Sequence, residues 1–197
     1  MQEIPLENKK PTQEKLDISV RMANKEDWPV CKELRLLSIT GPDADMLGLT
    51  LEKKQEEMNK TDTEWELETS SDTMFSVLAC NNSQAIGLGR AMQEEEGVWR
   101  IRNGYVKPAF RDMGIQQKML ALRLSEIMKL GGFKAVTGIK INNPISFHNA
   151  EKFGFKEVDP ARKAIALGPL ASKWHMLESD LTDPAVIKKI NEVLDAR

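Results

Sequence analysis

Residues 106–117, with the sequence VKPAFRDMGIQQ, form the first group that could bind a ligand. They follow the predicted strand VWRIRNGYV, and a long apolar helix is predicted to begin directly after Gly114. The first N–H groups of a helix lack intrahelical partners and carry the positive end of its dipole. Gly114 permits close approach of the backbone, and Arg111 adds a charge-assisted contact. The turn therefore predicts an anion site, although an ordinary strand-to-helix turn with a solvated arginine has the same local pattern.

A second polar group lies in NPISFHNAEKFGF, residues 143–155. Asn143 before Pro144 is typical of a helix N-cap followed by the first helical residue. Ser146 lies in that first turn, where its hydroxyl faces either a bound ligand or its own helix. Tyr105 is the only tyrosine of the chain and ends the strand before the first segment, so it lines a substrate site or packs at the rim of the core. Two separate segments thus supply the candidate chemistry.

The rest of the sequence predicts the elements that position these segments. Apolar and polar residues alternate over residues 16–22, which indicates a strand, and Asn24 offers a cap for the helix that follows. NNS between two apolar runs indicates a hairpin, and Asn103 with Gly104 indicates a bulge in a third antiparallel strand. The further predicted elements are helices over 51–59, 115–130 and 144–152, strands at FKAVTGIKI, FKEV and KWHMLESDL, a loop through Gly168 and Pro169, and a terminal helix over 183–196.

Composition limits the classes of protein to which the chain can belong. Its 197 residues include 28 Lys and Arg against 30 Asp and Glu, so we expect neither nucleic acid nor a membrane as partner. Cys31 and Cys80 form no metal-ligand pattern with the two histidines, so we expect no metal. No signal-peptide pattern or long apolar run is present, which favours a cytoplasmic protein. We expect one domain over 17–197 after a polar arm at 1–16.

The order of the two polar segments resembles the GNAT N-acetyltransferase superfamily. The pattern VxPxxRxxGI, an apolar helix, a strand and then NPISFHNAEKFGF follow one another as in that family, and the resemblance spans about residues 18–181. It implies an α+β fold with α/β/α layers, in which a mixed, mostly antiparallel sheet of about six or seven strands has helices on both faces. It also implies acetyl-CoA as cosubstrate and an amine acceptor, and it is compatible with a homodimer.

The resemblance further implies roles for individual residues. The family pattern R/QxxGxG/A, whose amides hold the coenzyme A diphosphate, corresponds to positions 111–116, with Gln116 in place of the usual Gly or Ala. Ala150 stands where many members have the tyrosine that protonates the leaving thiolate, and we predict Ser146 as the substitute acid. The predicted cofactor-binding residues are Val106, Arg111, Asp112, Met113, Gly114, Ile115, Gln116 and Asn143, and the predicted catalytic residues are Ser146 and Tyr105.

The resulting hypothesis is an N-acetyltransferase in which the primary amine of a small molecule or peptide attacks acetyl-CoA directly in a ternary complex. Residues 25–65 and 159–172 are expected to build the acceptor site, where Asp43 and Asp45 either attract a cationic amine or only face water. The alternative is a noncatalytic acetyl-CoA-binding or sensing module, because the usual tyrosine is missing at position 150.

Overall fold

The computed structural model describes residues 16–42, 44–47 and 49–196, which form one mixed β-sheet with helices on both faces. The strands are β1 (Ile18–Met22), β2 (Ser70–Ser71), β3 (Met74–Asn81), β4 (Gln84–Glu95), β5 (Val98–Val106), β6 (Lys134–Lys140), β7 (Lys156–Glu157) and β8 (Trp174–Asp180). The helices are α1 (Trp28–Thr40), α2 (Leu51–Asn59), α3 (Asp62–Thr69), α4 (Ile115–Lys129), α5 (Pro144–Glu151), α6 (Pro160–Leu167) and α7 (Pro184–Asp195). The strand order is β1-β3-β4-β5-β6-β8-β7, with β2 paired to β3. Among the described strands, only β5 and β6 pair in parallel, and the predicted mixed, mostly antiparallel sheet is confirmed.

Two apolar clusters cover opposite faces of the sheet, because neighbouring residues of a strand point to opposite sides. In β3, Val77 and Ala79 belong to the cluster that includes residues of α4 and α7. Leu78 and Cys80, which alternate with them, belong to the cluster that includes residues of α1. Helix α4 is buried on more than one side, as its sequence predicts. The core therefore holds both the end of β5 and the start of α4 in place.

The sheet opens between β5 and β6. Parallel pairing covers only residues 98–100 of β5 and 134–136 of β6, and beyond it β5 continues alongside β4. At Asn103 and Gly104 the register shifts, so that two residues of β5 lie opposite one residue of β4. Asn103 has a φ of 56°, in the left-handed region. The predicted bulge is confirmed, and it lies in the part of β5 that no longer pairs with β6.

Most predicted elements have the expected type, but one predicted loop was wrong and one helix was missed. The loop predicted through Gly168 and Pro169 contains α6 and a 3-10 helix, because Asp159 caps the N–H groups of Ala161 and Arg162. Helix α3 was not predicted, because its apolar signal comes mainly from one buried residue and its start depends on a capping box. The strand predicted at FKEV shortens to the two residues of β7. Residues 1–15 of the predicted arm, and Asp43, lie outside the described residues.

The two cysteines are buried free thiols. Burial raises the pKa of Cys31 to about 11, so its thiolate is scarce at neutral pH and it is a poor nucleophile. In the described part of the chain, no cluster of three or more His, Cys, Asp or Glu could hold a metal ion. No helix of these same residues is long and apolar enough to cross a membrane.

Candidate active site

The turn between β5 and α4 leaves a run of backbone N–H groups without partners. Asp112 and Gly114 have φ angles of 65° and 72°, a conformation that few residue types other than Gly, Asn and Asp adopt readily. Among the residues that the structure describes, the N–H groups of residues 112–116 have no acceptor. Arg111 lies at the start of this run, and its Nε donates to the carbonyl oxygen of Val106 at 3.2 Å. The turn therefore has the donors of an anion site.

Gly114 is needed in this turn because of its backbone conformation, and not because a larger side chain would clash with a neighbour. A Cβ added there would meet no atom within 4 Å, so the protein itself leaves room for a side chain. A φ of 72° is nevertheless unfavourable for residues with a Cβ, and most of all for β-branched residues. The left-handed backbone at Gly114 thus sets the direction of the first N–H groups of α4.

The start of α5 has the predicted cap. Asn143 Oδ1 accepts a hydrogen bond from the Ser146 N–H at 3.1 Å, and Pro144 occupies the first helical position. The hydroxyl of Ser146 makes no hydrogen bond to any residue in the described ranges. Asn143 is therefore occupied as a cap through its side chain, while the Ser146 hydroxyl remains available to a ligand.

A cavity of about 320 Å³ lies between the turn and the start of α5. Nine of the ten predicted site residues line it, and the exception is Met113, whose side chain is 39% exposed. Ile115 contributes through its backbone, because its side chain is buried in the core. Tyr105 lines the cavity and also packs against the apolar cluster beneath α1. The structure thus brings together two predicted segments that are about thirty residues apart in sequence.

A larger cavity of about 1020 Å³ lies in the opening of the sheet. Its walls include Arg35 of α1 and Thr50, the residue before α2. They also include Leu167 at the end of α6 and Leu170 in the 3-10 helix that follows. Both stretches that were expected to build the acceptor site, residues 25–65 and 159–172, therefore contribute to it. Asp45 also lines this cavity, but cationic residues outnumber acidic ones there.

The two cavities meet at five residues that line both of them: Gly104, Gln116, Asn143, Ser146 and Asn149. The side chain of Gln116 lies across the bulge, because a Cβ on Gly104 would be 2.3 Å from Gln116 Nε2. Gln116 Oε1 is buried and has no hydrogen-bond partner among the described residues. The departure from the family pattern at this position therefore places an amide at the junction and leaves the Gln116 N–H available in the turn.

A model of the acetyltransferase (GNAT) family matches residues 41–155, which is more than half of the chain and includes both polar segments. The chain belongs to the GNAT acetyltransferase family. The resemblance predicted from the two motifs is thus confirmed. No curated protein sequence matches the chain.

Solved structures share the GNAT fold at low sequence identity. PaiA N-acetyltransferase from Thermoplasma acidophilum, in complex with coenzyme A, has a TM-score of 0.62 and 17% identity, covering 84% of this chain and 99% of its own. A GNAT acetyltransferase from Staphylococcus aureus Mu50 has a TM-score of 0.64 and 13% identity, with coverages of 83% and 99%. YncA from Salmonella typhimurium, with its cofactor acetyl-CoA, has a TM-score of 0.59 and 15% identity, with coverages of 85% and 95%.

Some lining residues of this GNAT domain were missed from the sequence. Asn149 follows Ser146 by three positions, so the two lie on one face of α5, and that spacing was a usable signal. Its Oδ1 accepts a hydrogen bond from Gln117 Nε2 at 3.1 Å, which ties α5 to α4. Ser38 reaches the smaller cavity from α1, far away in sequence, and no local pattern marks it. Ala150, where many family members have a tyrosine, is buried in the core.

Proposed function

We propose that the protein is an acetyl-CoA-dependent N-acetyltransferase that moves an acetyl group to the primary amine of a small molecule or peptide. The meeting of the two cavities in the opening between β5 and β6 carries this proposal. Direct transfer in a ternary complex requires such a passage, because the amine and the thioester must approach each other at reacting distance. The five junction residues mark where that approach takes place.

The smaller cavity is the proposed site of acetyl-CoA. The unpaired N–H groups of residues 112–116 and the cationic side chain of Arg111 suit a diphosphate. β5 has no pairing with β6 beyond Arg100, so its edge near Val106 suits the amide groups of the pantetheine arm, as in strand addition. The coenzyme A of the T. acidophilum enzyme and the acetyl-CoA of the S. typhimurium protein support the same cosubstrate here.

The proposed reaction needs no covalent enzyme intermediate. The amine nitrogen bonds to the thioester carbon, the C–S bond breaks, one proton leaves the nitrogen and one proton reaches the sulfur. Ser146 is the proposed proton donor to sulfur, because its hydroxyl lies at the junction and has no partner in the described part of the chain. Tyr105 lines only the smaller cavity, and its proposed role is to orient a water there. A strand N–H near Val106 is the proposed donor to the oxyanion.

Mixing the purified protein with acetyl-CoA and a panel of primary amines, and following release of free thiol, tests the proposal. Turnover that depends on both the amine and the protein is the expected result. Tight acetyl-CoA binding without turnover on any amine supports the alternative of a noncatalytic sensing module. The observation behind that alternative is Ala150, which has no hydroxyl group at the position where many family members have a tyrosine acid.

A further inference from the structure

The walls of the larger cavity carry an excess of positive charge. Two acidic residues, Asp45 and Glu94, line these walls. The cationic side chains are Arg35, Arg100, Arg102, Arg123, Lys140 and Lys173. The chain as a whole has a formal net charge of −2, so the cavity is opposite in sign to the protein that surrounds it. Such a local reversal of charge points to a ligand of the opposite sign.

Among the described residues, ion pairs account for only two of these six cations. Arg100 is paired with Glu94, with Nη2 and Oε2 at 3.0 Å. Arg35 is paired with Glu57 of α2, with Nε and Oε2 at 3.1 Å, and both side chains are buried. After these pairs are set aside, four cationic residues of the described walls remain against one acidic residue, Asp45.

The remaining four cations bind neutral groups or none among the described residues. Arg102 Nη1 lies 3.7 Å from the sulfur of Met92, and Lys140 Nζ donates to the backbone carbonyl of Asp45 at 2.8 Å. Lys173 is exposed and forms no ion pair with any residue that the structure describes. Three of the four therefore keep donors that a ligand could use.

Arg123 is the most unusual of the four, because its side chain is only 1% exposed. It donates to the carbonyl oxygens of Met119, Arg90 and Arg102, at 3.1, 3.3 and 3.3 Å. Burial lowers its pKa to about 10, so the guanidinium remains charged at neutral pH. A buried charge without a countercharge is unfavourable, and an anion in the adjacent cavity would compensate it.

We propose that the acceptor amine also carries an oxyanion, a carboxylate or a phosphate, that binds to Arg102 and Lys140 of the larger cavity. This inference rests on the proposed N-acetyltransferase activity and names the class of its acceptor. Leu167, Leu170 and Trp174 supply an apolar stretch of wall for the carbon chain between the two groups. The amine would then point towards the junction at Ser146.

The same positive wall favours the reactive form of the acceptor. Only the neutral amine is a nucleophile, and neighbouring positive charge disfavours the ammonium form. A diamine would bring a second positive charge to the same wall, where it would be repelled. The charge of the cavity thus selects against cationic acceptors, in contrast to the hypothesis that Asp43 and Asp45 attract a cationic amine.

A panel of matched amines tests the inference. Linear ω-amino acids of two to six carbons, the corresponding alkylamines and the corresponding diamines are compared at saturating acetyl-CoA, with phosphoethanolamine against ethanolamine as the phosphate arm. We expect kcat/KM to be roughly ten-fold higher for the best anionic amine than for its uncharged partner, and lowest for the diamine. The carboxylate and phosphate arms distinguish between the two oxyanions.

Variants and a binding measurement make the test specific to the cavity. In the double variant Arg102→Gln, Lys140→Gln, the preference for anionic over neutral amines should fall roughly ten-fold, with an unchanged dissociation constant for acetyl-CoA. Lys188→Gln on α7, at an exposed ion pair that does not line the cavity, should leave both quantities unchanged. Calorimetric titration of the protein with coenzyme A bound should show tighter binding of the ω-amino acid than of the alkylamine.

Three outcomes separate the inference from the function on which it rests. Turnover of neutral amines or diamines at least as fast as of anionic ones overturns the inference and leaves the N-acetyltransferase activity standing. A preference that the double variant keeps also overturns it. Absence of thiol release with every amine contradicts the proposed activity, and in that case the calorimetric comparison alone decides whether the cavity binds oxyanions.

Discussion

The two cavities of the proposed active site differ in which groups of their walls would bind a ligand. The smaller one depends on backbone N–H groups of five consecutive residues, 112–116, whose directions follow from two left-handed conformations. The larger one depends on side chains from elements far apart in sequence, including Arg35 and Lys173. A site built from backbone N–H groups tolerates many side chains as long as its φ angles are kept. A site built from side chains can change its ligand preference when one of those side chains is substituted. Within one fold, the first suits an invariant cosubstrate and the second a particular acceptor.

Gly114→Val is the substitution expected to damage the smaller cavity most. A β-branched residue at a φ of 72° is strained, and relief of that strain would turn the first N–H groups of α4 away from the diphosphate. Each hydrogen bond to a charged group contributes about 1.5 to 3 kcal/mol, so loss of one or two should raise the acetyl-CoA dissociation constant roughly 100-fold, as measured by calorimetry.

Gly131→Val is a matched control for that variant. Gly131 follows α4 at its other end, has a φ of 79° and, like Gly114, has no atom within 4 Å of an added Cβ. Thermal denaturation should show a similar loss of stability in both variants, about 1 to 2 kcal/mol, with affinity lost only in Gly114→Val. Equal affinities in the two variants would show that the turn does not bind acetyl-CoA.

Ser146→Ala tests the junction, where the two cavities share their walls. General acids typically contribute a hundred-fold or more to a rate, and a water in the vacated space would replace part of this effect. We therefore expect kcat to fall roughly 30-fold, with an unchanged acetyl-CoA dissociation constant. Ser83→Ala, at an exposed hairpin residue, is the control. An unaltered kcat for Ser146→Ala would remove this residue from the proposed mechanism.

The smaller cavity could be predicted from the sequence because its determinants are local. Asn103 and Gly104 marked the bulge, Gly114 marked the helix start, and Asn143 marked the cap of α5, and all three features are present in the structure. The order of these segments along the chain was enough to identify the GNAT family. The positions of such features follow from turn and cap chemistry within a few residues.

The cationic lining of the larger cavity could not be predicted, because it depends on tertiary packing. Arg123 lies on a helix whose apolar pattern says nothing about the carbonyl oxygens that its guanidinium reaches in β4 and β5. Lys140 ends a strand and donates to the backbone carbonyl of Asp45, which lies in a 3-10 helix 95 residues earlier. From the sequence, Asp43 and Asp45 could either attract a cationic amine or only face water, whereas the charged residues on the walls of the folded cavity are mainly cationic.

Arg111→Ala sharpens the comparison by removing the cationic side chain of Arg111 from the wall of the smaller cavity. The loss of one charge-assisted contact should raise the acetyl-CoA dissociation constant roughly ten-fold, less than Gly114→Val does. Arg111→Lys keeps the charge but not the planar guanidinium whose Nε donates to Val106, and should recover part of the affinity. A larger effect of Arg111→Ala than of Gly114→Val would mean that a side chain, and not the backbone N–H groups, contributes most to acetyl-CoA binding in this cavity.

Gly104→Ala should have the smallest effect of the four, and it tests how the bulge and the helix fit together. The added methyl group would be 2.3 Å from Gln116 Nε2, at the flexible end of a side chain, so Gln116 should swing away from the junction at small cost to stability. We expect kcat/KM to fall a few-fold, by about 1 kcal/mol, in a steady-state assay of acetyl transfer.

A double-mutant cycle decides whether this steric conflict is the cause. In Gly104→Ala, Gln116→Gly the methyl group has no side chain to displace, so its additional effect should disappear and the two substitutions should be non-additive. Gln116→Gly alone then measures what the buried amide contributes at the junction, where its Oε1 has no partner among the described residues. Additive effects would mean that Gly104 acts through the open edge of β5 instead, and the boundary between the two cavities would then be set by backbone alone.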